Sequence, residues 1–167
     1  MLNFSFQNTT QIHFGEGQIK ALSKAIPKTA KVLLTYGGGS IKTNGVYDQV
    51  TEALSKHTCF EFSGIEPNPS YATLMKAQDL IREHEIDFLL AVGGGSVIDG
   101  TKFIAAAALF EGDDPWDFVA KGQPIKQALP LGCVLTLPAT GSESNTGAVV
   151  TRDGNKLPFQ SPLVRPL

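Results

Sequence analysis

A chain of 167 residues can bury one substantial core and is short for two. Its 42% hydrophobic and 18% charged content is ordinary for a soluble globular protein. A formal net charge of −2 with scattered Lys and Arg leaves no basic footprint for nucleic acid, and no apolar run reaches the ~20 residues of a membrane span.

The opening MLNFSFQNTTQ lacks the basic start and apolar core of a signal peptide, so the expected location is the cytoplasm. Cys59 and Cys133 sit in apolar, strand-like runs and are expected to be buried free thiols in a reducing compartment. Phe4, Phe6, Ile12 and Phe14 alternate loosely, which predicts a short strand or hairpin. Ile19, Leu22 and Ile26 follow at helical spacing, and Pro27 stops that helix. KVLLTY (Lys31–Tyr36) is apolar without alternation, the pattern of a strand covered on both faces. A helix is predicted over Ile41–Lys56, with Val46, Val50 and Leu54 on one stripe.

A short strand at Cys59–Ile65 ends in the chain-breaking EPNPS. Ser70 is a plausible cap for a helix over Tyr71–His84, whose Leu74, Ala77, Leu80 and Ile81 form a core face. Asp87–Val92 is a strand, and SVIDGTKFIAAAALF is a helix apolar on most sides, hence buried. DDPWDF turns into a short helix, Gly132–Pro138 is a further strand, and ATGSESNTG is a polar loop. AVVTRDGNKLPF reads as a hairpin with Asp153-Gly154 near its turn. Strands and helices alternate with short connections, which predicts a parallel sheet with helices on both faces plus a β-hairpin.

The tetrapeptide Gly-Gly-Gly-Ser occurs twice after a predicted strand, at Gly37–Ser40 and at Gly93–Ser96. Both corners fall where open α/β sheets bind ligands, outside the carboxyl ends of strands. A helix start offers unpaired N–H groups and the positive end of the dipole, and glycine lets a bulky anion approach the backbone. Such corners suit phosphate. The dinucleotide fingerprint fails at its third glycine, where Lys42 and Ile98 stand. Gly95 to Lys102 reads GSVIDGTK, a P-loop with its lysine displaced by one, so a P-loop nucleoside triphosphatase is a third reading.

GGGSVIDGTK together with LTLPATGSESN, in this order and spacing, resembles the iron-containing (group III) alcohol dehydrogenases. IEPNPSY and FGEGQIKAL also match that pattern, and the likeness runs across nearly the whole chain. It is nearest the branch of NADPH-dependent butanol dehydrogenases and aldehyde reductases. The resemblance implies a Rossmann-like, dehydroquinate-synthase-like N-terminal α/β domain that binds a dinucleotide. It assigns Gly93, Gly94, Gly95 and Ser96 to the pyrophosphate and Asp99 to the acidic position of the GGGSxxD motif. Thr136, Thr140 and Ser142 match positions lining the ribose and nicotinamide end. Asn145 and Lys156 match contacts of the nicotinamide half. Gly37, Gly38, Gly39 and Ser40 match the region that reads the adenosine ribose.

NAD-preferring members resemble one another in having an aspartate after the first strand. Glycines and a serine stand there in this chain, so the expected cofactor is NADP(H), with Lys42 as an additional phosphate partner. The resemblance implies family members about twice this length or more, with a helical domain whose one Asp and three His hold a divalent metal, Fe or Zn. His13, His57 and His84 are scattered and form no ligand cluster, and Asp113, Asp114 and Asp117 read as a polar turn. Residues 1–167 are therefore expected to be the dinucleotide-binding domain alone, with no catalytic residue and no metal ligand. The expected activity of the whole protein is hydride transfer between nicotinamide and a primary alcohol or aldehyde, with this chain inactive by itself. The alternative is a stand-alone nucleotide-binding module. An apolar face left by a missing domain would favour self-association, with a homodimer as the expected form.

Overall fold

The computed structural model describes residues 8–167. Phe4 and Phe6 lie outside the described residues. Ile12 and Phe14 belong to irregular chain and are exposed, so the described part of the predicted amino-terminal strand is absent.

A 3₁₀ turn at Gln18–Ala21 runs into α1 (Leu22–Ala25), and then β1 (Lys31–Tyr36) enters the core. α2 (Val46–Ala53), β2 (Thr58–Phe62), α3 (Tyr71–His84), β3 (Phe88–Gly94), α4 (Gly95–Ala108) and α5 (Trp116–Ala120) follow. β4 (Leu131–Leu137) completes a four-stranded parallel sheet in the order β2-β1-β3-β4. β5 (Gly147–Arg152) and β6 (Asn155–Gln160) form an antiparallel hairpin, with Arg152 paired to Asn155 across the Asp153-Gly154 turn.

The continuous apolar runs of β1 and β3 have the reason the sequence suggested. Leu33, Leu89 and Ala91 face one side, where they pack with Leu74 and Ala77 of α3 and with Phe103 and Ile104 of α4. Val32, Leu34, Phe88, Leu90 and Val92 face the other, with Ile26, Val50 and Leu54. Period-2 alternation thus feeds two cores at once. Gly100 lets α4 approach α3, because a methyl there would lie 2.8 Å from Leu74 Cδ2. A buried hydroxyl pair, Thr35 Oγ1 to Thr101 Oγ1 at 2.6 Å, ties β1 to α4. Ser70 caps α3 by accepting the Thr73 N–H at 3.3 Å.

Two further expectations need correction. The helix predicted over Ile41–Lys56 is a 3₁₀ turn at Ser40–Lys42 and a separate α2 beginning at Val46. Gly45, in the left-handed region at φ 77, separates them, as Asn-Gly pairs do. Cys59 is exposed and Cys133 only partly covered, because β2 and β4 are the two edges of the sheet. Both are free thiols, and burial pushes Cys133 up to about 11.

Candidate functional site

β1 pairs with β2 on one side and β3 on the other, so the strand order reverses between β1 and β3. Crevices at such reversals are where doubly wound sheets take ligands. Tyr36 lies opposite Val92, and each is followed at once by Gly-Gly-Gly-Ser. The two corners are therefore neighbours in space.

They are not copies in structure. The second runs straight from β3 into α4, whose start has no side-chain cap, leaving its first N–H groups available. Close packing requires two of its glycines: a methyl at Gly93 would sit 2.7 Å from Val97 Cγ2, and one at Gly95 would sit 2.4 Å from Thr140 Oγ1. The first turns through Gly39, at φ 96, into the 3₁₀ turn and leans on the segment after β2. Gly64 N–H donates to Gly37 O at 3.1 Å, and Ile65 N–H donates to Tyr36 O at 3.2 Å.

A cleft of about 620 Å³ opens beside the second corner, within the usual size range of small-molecule sites. Of the expected site residues, Gly95, Ser96, Asp99, Thr140, Ser142, Asn145 and Lys156 line it. Gly93, Gly94, Thr136 and the first corner, Gly37 to Ser40, do not. Thr136 is the extra residue in a bulge of β4, where the register shifts opposite Gly93 and Gly94.

Asp99 Oδ2 accepts the Val149 N–H at 3.0 Å, joining α4 to the hairpin. Its Oδ1 is buried without a hydrogen-bond partner among the described residues. Burial pushes the Asp99 carboxyl above its ordinary range, against the lowering effects of the Ser142 hydroxyl, the Val149 amide and Lys102. Thr140 and Ser142 share a hydroxyl bond at 2.8 Å, and Lys156 Nζ donates to Asn68 Oδ1 at 2.5 Å.

Asn68 and Lys102 are among the lining or supporting residues that the sequence did not assign to the site. Asn68 reaches the cleft with φ 56, and its signal was an asparagine held between two prolines. Lys102 is fully buried, and its Nζ donates to Asn145 O, Asn145 Oδ1 and Gly147 O. Its signal was a lone lysine on an otherwise apolar helix, a charge that must find partners. Lys102 is thus committed to the hairpin side of α4, away from the helix start that a P-loop lysine serves.

Lys42, expected as a phosphate partner, has company. It lies 3.2 Å from Glu61 Oε2 and over the Tyr36 and Tyr47 rings at 5.1 and 4.6 Å. Glu61 also accepts from the hydroxyls of Tyr36, at 2.6 Å, and of Tyr47. These contacts raise the Lys42 pKa and lower that of Glu61.

The described residues do not fit a divalent metal. His57 Nε2 sits 3.2 Å from Ile26 O and His84 stacks on Phe60, while His13 is exposed. No three of the described His, Cys, Asp and Glu residues converge to hold an ion. Asp114 is instead a structural hub, accepting from Tyr71 Oη at 2.8 Å, Trp116 N at 2.8 Å and Arg152 Nη1 at 2.6 Å. Among the described residues, no helix is long and apolar enough to cross a membrane.

The chain is 57% identical to the NADPH-dependent aldehyde reductase YqhD of Escherichia coli, covering 100% of this chain and 44% of that protein. It is 52% identical to a probable NADH-dependent butanol dehydrogenase of Bacillus subtilis, covering 99% of this chain and 44% of the relative. The chain therefore spans under half the length of these relatives. The crystal structure of E. coli YqhD superposes with a TM-score of 0.94 at 58% identity, over 98% of this chain and 43% of that one. The NADH-dependent butanol dehydrogenase A of Thermotoga maritima gives a TM-score of 0.91 at 44% identity, over 98% of this chain and 42% of that one. The family model for iron-containing alcohol dehydrogenase matches residues 9–167, and with such relatives this chain belongs to that family.

Proposed function

We propose that this chain is the NADP(H)-binding part of a metal-dependent alcohol dehydrogenase or aldehyde reductase. The observation that carries the reading is the pair of glycine corners at the sheet's reversal, one opening an uncapped helix beside the cleft. The α4 start, Gly93 to Ser96, binds the pyrophosphate through backbone N–H groups. Asp99, Thr136, Thr140, Ser142, Asn145 and Lys156 surround the ribose and nicotinamide. Gly37 to Ser40 meets the adenosine end. When bound, the nicotinamide supplies or accepts the hydride of a primary alcohol or aldehyde, and the residues of this chain orient it. The metal ligands and the substrate pocket belong to the part of the family's length that this chain does not span.

The choice of NADP(H) rests on chemistry at the first corner. The named relatives include both NADPH- and NADH-dependent enzymes, so overall identity does not decide it. An aspartate after β1 would bond the ribose hydroxyls and repel a 2′-phosphate, and this chain has none there. Titration with NADPH and NADH, followed by nicotinamide fluorescence, is expected to give tighter binding of NADPH. Tighter binding of NADH would sink the choice of nucleotide and leave the cleft assignment standing.

A further inference from the structure

α4 is buried along most of its length, and Lys102 is its fully buried charge. An ammonium carries three N–H donors. Lys102 places all three on one loop: Asn145 O at 3.0 Å, Asn145 Oδ1 at 2.9 Å and Gly147 O at 2.8 Å. Asn145 Oδ1 also accepts the Gly147 N–H at 3.0 Å. Two donors converge on that atom, so it must be the carboxamide oxygen, since an NH₂ group would face them unfavourably. The amide plane is therefore fixed. Its Nδ2 donates to no partner among the described residues, and Asn145 lines the cleft.

We infer that Lys102 is a positioning residue: its ammonium locks the Asn145 carboxamide so that Nδ2 is presented to the cleft as a donor. The acceptor it suits is a carbonyl or hydroxyl oxygen of the cofactor's nicotinamide half. This rests on the reading of the cleft as a dinucleotide site. The lock depends on charge. The Asp99 and Glu143 carboxylates favour the ammonium, while burial and Arg165 oppose it, and Cys133, pushed up to about 11, faces it as a neutral thiol. Burial is the largest effect and brings Lys102 down to about 8. The ammonium is present below that pH. Above it the neutral amine has one N–H fewer, and one of the three loop acceptors loses its donor.

The test compares NADPH affinity of the native chain, Lys102→Met, Asn145→Ala and the double variant across pH 6.5 to 9.5, a range of roughly 1.5 units either side of the Lys102 pKa. Each single change is expected to weaken binding about tenfold or more, as loss of a fixed hydrogen bond does. The double variant is expected to be no weaker than the poorer single, because the two residues act as a unit. The native chain should lose affinity as pH rises through about 8, and Asn145→Ala should not. A folded Lys102→Met that binds like the native chain, or losses that multiply, would overturn the inference. Where Lys102→Met fails to fold, identical pH profiles in the native chain and Asn145→Ala overturn it. A native chain that binds neither NADPH nor NADH contradicts the cofactor reading instead. The side-chain amide resonance of Asn145 then decides the lock alone, since it must titrate near pH 8 if Lys102 holds it.

Discussion

Replacing Gly38 with aspartate is expected to lower affinity for NADPH by about a hundredfold while leaving NADH binding unchanged or improved. The three glycines of the first corner are not equivalent as places for a carboxylate. A methyl at Gly37 would meet Ile65 O at 3.0 Å, so a side chain there disturbs the segment after β2. Gly39 has φ 96, where any side chain is strained. Gly38 has an ordinary φ and no heavy atom within 4 Å of an added Cβ. An aspartate at Gly38 is accommodated without repacking, so its effect is electrostatic. Two unit charges about 4 Å apart near a protein surface interact by about 4 kcal/mol, and salt screening reduces this toward the ~3 kcal/mol of a hundredfold change. Lys42 offers little relief, because Glu61 and the two tyrosine rings already engage it. Parallel titrations check the prediction. Equal losses for both nucleotides would show that the corner does not meet the 2′-phosphate.

Gly95→Ala is expected to weaken NADPH and NADH alike, by on the order of a hundredfold, and to lower the thermal midpoint by several degrees. The new methyl would overlap Thr140 at Oγ1, Cγ2 and Cβ, at 2.4, 2.9 and 3.2 Å. Rotation of the Thr140 side chain cannot relieve all three, and its hydroxyl is bonded to Ser142. The loop after β4 must therefore move outward, away from the helix start that it helps to enclose. Overpacking of this kind costs about 1–3 kcal/mol. Gly94 is the internal contrast: its nearest neighbour to an added Cβ is Leu137 Cβ at 3.9 Å. Gly94→Ala is expected to melt close to the native chain. Loss confined to NADPH in Gly95→Ala would contradict the pyrophosphate assignment, since both nucleotides carry that group.

Some of this structure was legible in the residues and some was not, for identifiable reasons. Lys31–Tyr36 and Tyr71–His84 end where the sequence placed them. One is an unbroken apolar run, and the other has a serine cap and a regular apolar stripe, so local signals agree with tertiary packing there. The first glycine corner misled because apolar spacing at Val46, Val50 and Leu54 extends a helix that Asn44-Gly45 interrupts. Cys59 misled because an apolar strand at a sheet edge reads like one at its centre until the pairing order is known. Within the cleft, Gly95, Ser96, Asp99 and the polar loop were visible through motif and resemblance. Lys102 was read only as a displaced P-loop residue, because its partners lie far along the chain, in the Asn145–Gly147 loop, and no local pattern connects them. Asn68 was passed over as part of a chain-breaking segment.

In the proposed function, two alike corners hold opposite ends of one dinucleotide. Backbone amide resonances recorded during titration with NADPH test it most directly. The amides of Gly93 to Ser96 and of Gly37 to Ser40 are expected to shift together along a single binding curve, with NADH moving the first group more than the second. Shifts confined to one corner, or to neither, would contradict it.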